Sequence, residues 1–214
     1  MKGNLKRKAG SYLCLAVTLS LLAAPRGTAQ NLRSGNFWEE DDVVFEIVGQ
    51  AQAVSPTTAI QFGYLSSIAE LEGIFTTAIP SGQNESTALF TFFNDVTPLR
   101  AIVNGGLTIA NREGTMTIYY DPSSDGNFSD PASFSDGIAV QTSAWRHQAI
   151  FEPATGKFTL LSAHTVTSAE RFDFGGQQVQ LGKPGDRFRI VGSGILAGPG
   201  QFKLAGYAVS VGKN

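Results

Sequence analysis

The stretch "SAWRHQAIFEPATGKFTLLSAHTV", residues 143–166, carries both histidines of the chain and the turn on which the fold hangs. In "EPATGK" (152–157), Pro153 suits the right-handed start of a four-residue loop, and Gly156 suits the left-handed position that closes it. Such a loop pairs Glu152 with Lys157. Pairing then runs outward through Phe151 with Phe158, Ala149 with Leu160, His147 with Ser162 and Trp145 with His164. Because side chains alternate along a strand, Trp145, His147, Ala149 and Phe151 share a face with Phe158, Leu160, Ser162, His164 and Val166. The other face carries Arg146, Gln148, Ile150, Glu152, Lys157, Thr159 and Leu161. The first face is the more apolar and aromatic, so it points inward, and the histidines become diagonal neighbours inside the fold. A one-residue slip in register would separate them.

On both sides of this hairpin, segments rich in Val, Ile, Phe, Thr and Tyr are punctuated by Gly, Pro, Asn and Asp, the pattern of strands joined by turns. Strands are expected near 43–54, 58–68, 71–79, 86–96, 99–110, 114–120, 138–152, 157–172, 177–182, 187–197 and 202–211. Helical periodicity is absent after the N-terminal segment, although "SSIAELEGIF" (66–75) allows one short turn of helix. The expectation is an all-β antiparallel meander in a single domain, residues 43–214. A closed β-barrel is favoured because closure removes exposed edges, with a two-sheet sandwich as the alternative.

The N-terminal segment has a different character. Lys2, Lys6, Arg7 and Lys8 precede an apolar run from Ser11 to Ala24, and Gly27 and Ala29 are the small residues a signal peptidase reads. Residues 1–29 therefore read as a signal peptide cleaved near Ala29, which implies a secreted or periplasmic protein. The run is too short for a membrane anchor, and the chain does not close on the aromatic residue common in transmembrane barrels. Cleavage removes the one cysteine, Cys14, and leaves 11 basic against 18 acidic residues, a net charge of −7. Disulfides and thiolate metal sites are excluded. A nucleic-acid backbone or anionic membrane is disfavoured as a partner, since both need clustered Lys and Arg. Residues 30–42 form an acidic lead-in that ends in Glu39, Glu40, Asp41 and Asp42.

Two constellations could carry chemistry. Trp145, His147, Ser162 and His164 form a polar cluster on the inward face of the hairpin, able to orient a ligand or to supply a neutral imidazole as a general base. As metal ligands the two histidines would need a third group, for which Glu170 is the same-face candidate. The alternative is that both imidazoles are satisfied core residues. The second constellation lies in "YYDPSSDGNFSDPASFSDG" (119–137), where Asp121, Ser123, Asp125 and Gly126 match the opening of a calcium loop. Asp121, Asp125 and Asp130 are the candidate ligands, but the twelfth position holds Ala132 where a calcium loop places its bidentate Glu. An ordinary polar loop is the competing reading. No nucleophile elbow, phosphate-binding loop, HExxH helix or dinucleotide fingerprint is present.

The stretch "RFRIVGSGILAGPGQFKLAGYAVSVG", residues 187–212, resembles the closing strands of allene oxide cyclase-type and dirigent-type barrels, which likewise carry a "GSG" strand, a glycine-rich hairpin and a final strand. The chain after its signal is also similar to exported bacterial β-barrel proteins of no assigned activity. The first resemblance implies a mainly apolar cavity that steers a cyclisation or coupling, and it transfers no catalytic residue to this chain. Three functional expectations follow. The first is a barrel that binds a small, partly apolar molecule in its interior. The second is a cyclase- or isomerase-like enzyme that uses the same cavity, and the third is a surface or matrix protein that acts through its loops.

Overall fold

The computed structural model describes residues 42–55 and 58–211; residues 1–29, which read as a signal peptide, and, apart from Asp42, the acidic lead-in lie outside them. Ten strands form: β1 (Val43–Ser55), β2 (Thr58–Ile68), β3 (Phe90–Asn104), β4 (Leu107–Tyr120), β5 (Ile138–Glu152), β6 (Lys157–Ala169), β7 (Phe172–Phe174), β8 (Gln177–Val179), β9 (Arg187–Gly198) and β10 (Gln201–Ser210). Eight of them close a barrel in the order β1-β10-β9-β6-β5-β4-β3-β2, with every pairing antiparallel. The sandwich alternative is set aside. No helix among the described residues is long and apolar enough to cross a membrane.

The β5–β6 hairpin has the register its turn dictates. Glu152 pairs with Lys157, Phe151 with Phe158, His147 with Ser162 and Trp145 with His164, and the register holds to Ser143 before a one-residue shift. Gly156 takes the left-handed conformation (φ 69°), and its N–H bonds the Glu152 carbonyl at 2.9 Å.

Two expected features do not form. Residues 71–79 make only isolated bridges at Leu71 and Phe75, and "SSIAELEGIF" ends β2 and turns at Glu70 (φ 59°) without making helix. The expected breaks at Pro98 and at Asn111–Glu113 are also absent, since β3 and β4 run through them to a turn at Gly105–Gly106. Pro98 is tolerated because β2 pairing has already stopped at Val96 and the β3–β4 register shifts between Pro98 and Arg100. The projecting hairpin leaves Leu99, Ile102 and Val103 exposed.

The two ends of the barrel differ. At one end the connections are long, and the β7–β8 hairpin folds over the opening. Its Phe172 and Phe174 pack against the inward-facing Phe90 and Tyr120 at ring separations of 5.3–5.8 Å. Gln141 secures this plug by donating from Nε2 to the Leu181 carbonyl at 2.6 Å. Outside the wall, Phe128 and Phe134 of the 121–137 loop cover Phe62. The middle is filled by large rings set against glycines. A Cβ on Gly49 would meet Phe92 at 2.8 Å, and one on Gly114 would meet Trp145 at 3.1 Å. The tight hairpins β1–β2, β3–β4, β5–β6 and β9–β10 all gather at the other end, where the interior opens into a cavity.

Candidate functional site

The cavity has a volume of about 170 Å³. Its walls come from inward-facing positions near the tight-hairpin ends of the strands, among them Val96, Ala110, Ala149, Leu160 and Leu204, with Phe151, Phe158 and Phe202 toward the mouth. Those three rings meet edge to face, Phe202 lying 5.6 Å from Phe151 and 5.5 Å from Phe158. At the floor stand Arg112 and His147, which are direct partners across β4 and β5. Arg112 Nη1 donates to His147 Nε2 at 3.2 Å. A guanidinium cannot accept, so this bond places the imidazole proton on Nδ1 and leaves His147 neutral. Burial, and then the Arg112 charge, push the His147 pKa from 6.5 down to about 3. Burial lowers the Arg112 pKa as well.

Behind His147 the rings continue inward as a stack. Trp145 lies 4.7 Å from His147 and 6.2 Å from His164, and His164 lies 4.4 Å from Phe188, with interplanar angles of 16–29°. His164 is held on both sides, since Ser162 Oγ is 2.8 Å from Nε2 and Ser143 Oγ is 3.1 Å from Nδ1. In a neutral ring one of these hydroxyls donates and the other accepts. Burial, followed by His147, brings the His164 pKa down to about 3.

The hairpin thus brings Trp145, His147, Ser162 and His164 together in the interior, and all four are buried. The histidines meet through the Trp145 ring, without a hydrogen bond between them. Of the four, His147 lines the cavity; Trp145, Ser162 and His164 back it. Glu170 is exposed, and both nitrogens of His164 are engaged by serines, so the histidine pair does not assemble a metal centre with Glu170.

Sequence reasoning missed Arg112. Read as one continuous strand, β4 places Arg112 on the face that carries Met116 and Ile118, which points inward. The polar run "NRE" (111–113) reads locally as a break, and that reading hides the alternation. Ser143 was also missed, because its contact with His164 depends on tertiary placement.

The aspartate loop closes differently from a calcium loop of sequential ligands. Asp121, Asp125 and Asp136 come together, each offering an oxygen within 4.8 Å of the others. Asp130 is not in this group; it caps the short 3-10 turn Pro131–Phe134 by accepting from the Ala132 N–H at 3.2 Å. The reason lies in the register. Tyr120 pairs with Ile138, so the two ends of the loop are adjacent, and Gly137 lies against Asp121, where an added Cβ would come within 3.0 Å of the Asp121 Cβ. Asp121 is buried, and its Oδ1 accepts from the Ser123 N–H at 2.9 Å while Oδ2 has no partner among the described residues. Burial and the neighbouring carboxylates, Asp125 foremost, raise the Asp136 pKa.

Comparison of the chain with protein-family models, with curated proteins and with solved structures finds no match, so its own geometry carries the functional reading.

Proposed function

We propose that this is an exported protein that binds a small, partly apolar molecule in the cavity at the tight-hairpin end of its barrel. The observation that carries the reading is an apolar-walled cavity of about 170 Å³ ending on a polar floor of His147 and Arg112. A few placed polar groups in an otherwise apolar cleft are the usual make-up of a small-molecule site. Binding is favoured over a cyclase or isomerase role because a general base works best with a pKa near the working pH. His147, held near 3 with Nε2 engaged by Arg112, is a weak base at neutral pH. A purely surface-acting barrel gives the cavity no role.

The test is native mass spectrometry of the protein purified gently from a secreting host without chelator. A stoichiometric organic adduct that is lost from His147→Ala supports the reading. A bare polypeptide that also fails to take up any member of a small apolar fragment set overturns it and returns the surface-acting role to the fore.

The same measurement bears on the aspartate loop. We infer that Asp121, Asp125 and Asp136 hold a hard divalent cation such as calcium, because Asp121 is 2% exposed and its buried Oδ2 has no partner among the described residues. An ion would offset the repulsion among three clustered carboxylates. Terbium, a calcium substitute, should luminesce through the adjacent Tyr119 and Tyr120 and should be displaced by calcium. A signal unchanged in a folded Asp121→Asn variant counts against the site.

A further inference from the structure

We infer that the cavity selects a carboxylate: a compact organic monoanion whose head is taken by Arg112 and whose apolar body fills the space toward Phe151, Phe158 and Phe202. This deepens the binding role proposed above and rests on it.

Arg112 is the only charged residue among those lining the cavity, and no Asp or Glu lines it. The ion pair of Arg146 with Glu113 lies on the outer surface, away from the cavity. Arg112 is half-buried, and its side chain makes a single hydrogen bond, from Nη1 to His147. A guanidinium offers five N–H donors in a planar fork, so four remain for an acceptor that arrives through the cavity. A desolvated charge with no counter-ion is costly, and a bound anion removes that cost. A cation would be repelled by the same group.

The number of charges narrows the class further. One guanidinium beside a neutral imidazole balances one negative charge. A phosphate monoester would bring close to two, with no second cation among the lining residues to meet them. The planar fork matches the two oxygens of a carboxylate bidentately.

Size and walls define the rest of the molecule. An apolar cavity of roughly 150 Å³ holds one benzene ring, so about 170 Å³ here accommodates one aromatic ring or a short branched chain. The inward-facing alanines at 51, 53, 59, 110 and 149 make this space by being small at barrel positions where larger side chains would close it. Because Arg112 lies on the floor and the phenylalanines toward the mouth, the acid enters head first.

The test is isothermal titration calorimetry with 3-phenylpropanoate and its neutral counterpart 3-phenylpropan-1-ol, on the wild type, Arg112→Met and Arg112→Lys. The wild type should bind the acid at least about tenfold more tightly than the alcohol, the gain expected of a charge-assisted bond. Arg112→Met should lose that preference and keep its affinity for the alcohol; Arg112→Lys, which retains the charge without the fork, should keep part of it. If acid and alcohol bind the wild type equally, or a folded Arg112→Met still prefers the acid, the carboxylate assignment fails while the cavity reading stands. Should Arg112→Met not fold, Arg112→Lys decides: a preference for the acid as large as the wild type's means that the guanidinium fork plays no part, and the assignment fails. Binding of neither probe, with no NMR shift at His147, Ala149 or Leu160, overturns the binding role and this inference together.

Discussion

His147 and His164 sit two residues from Trp145 along one strand and directly across from it on the next, yet they meet different fates. His164 is bracketed by two serine hydroxyls and stacked on Phe188, which is how a core histidine is satisfied; His147 faces the cavity and accepts from an arginine. Both are neutral in the fold for the same leading reason, the cost of burying an imidazolium. Each has a folded pKa of about 3, below the ordinary 6.5 it regains on unfolding. The unfolded chain therefore binds more protons in this window. The histidines' contribution to stability is whole above 6.5 and is lost as the pH falls toward 3. Each contributes a slope of about 1.4 kcal/mol per pH unit well below the unfolded value. Urea denaturation between about pH 5 and 6.5, where most carboxylates stay ionised, should show stability falling with acidification. His147→Gln should reduce that slope by about half; an unchanged slope would mean that His147 is already charged in the fold. The pairing that brings these residues together was legible in the sequence, because a turn with a left-handed glycine sets register without help from the rest of the chain. Arg112 and Ser143 were not, since each gains its role from a strand that local chemistry does not announce.

At the level of elements, glycines decide which rings the interior can hold. Gly114 on β4 pairs with Trp145 on β5, and a methyl group there would run into the Asp95 carbonyl as well as the indole. Gly114→Ala is expected to cost about 2–3 kcal/mol, read as a lowered urea midpoint at unchanged m-value. A neutral result would show that Trp145 can shift, and the stack that carries His147 with it. Gly105, at the turn of the projecting β3–β4 hairpin, meets nothing within 4 Å. What matters there is its left-handed φ of 58°. The contrast between hairpins also explains which elements the sequence disclosed. β5 and β6 end at a turn with strong local chemistry and keep strict alternation to Ser143, so their faces and turn-side boundaries could be read, although β6 stops at Ala169, short of the expected 172. β3 and β4 cross a proline and a polar triplet that read as breakers. They are tolerated here because β3 has outrun β2 at Pro98 and Arg112 faces a cavity. The plug was disclosed only in part: β8 falls within the strand expected at 177–182, but Phe172 was read as the end of the strand before it, because β7 is three residues long and matters through Phe172 and Phe174 meeting rings from β3 and β4.

For the whole molecule, the pairing order follows the chain from β1 to β6 and then through β9 and β10, with β7–β8 set aside as an inserted hairpin. Every neighbouring pair in the wall is joined by a single connection except β1 with β10, whose ends are adjacent: the Ser210 N–H donates to the Asp42 carbonyl at 3.0 Å. That last pairing is the only one that must be found across nearly the full length of the barrel, so loop-closure entropy makes it the slowest to search. Topologically the wall is a ring with one seam, and the position of the seam is a matter of connectivity more than of packing. A circular permutant that links Val211 to Asp42 through a short flexible bridge and opens between Gly105 and Gly106 is expected to melt cooperatively with the wild-type sheet signal. Its slow folding step would pass from β1 and β10 to β3 and β4, so that the strand bearing Arg112 would become the last to be stitched in.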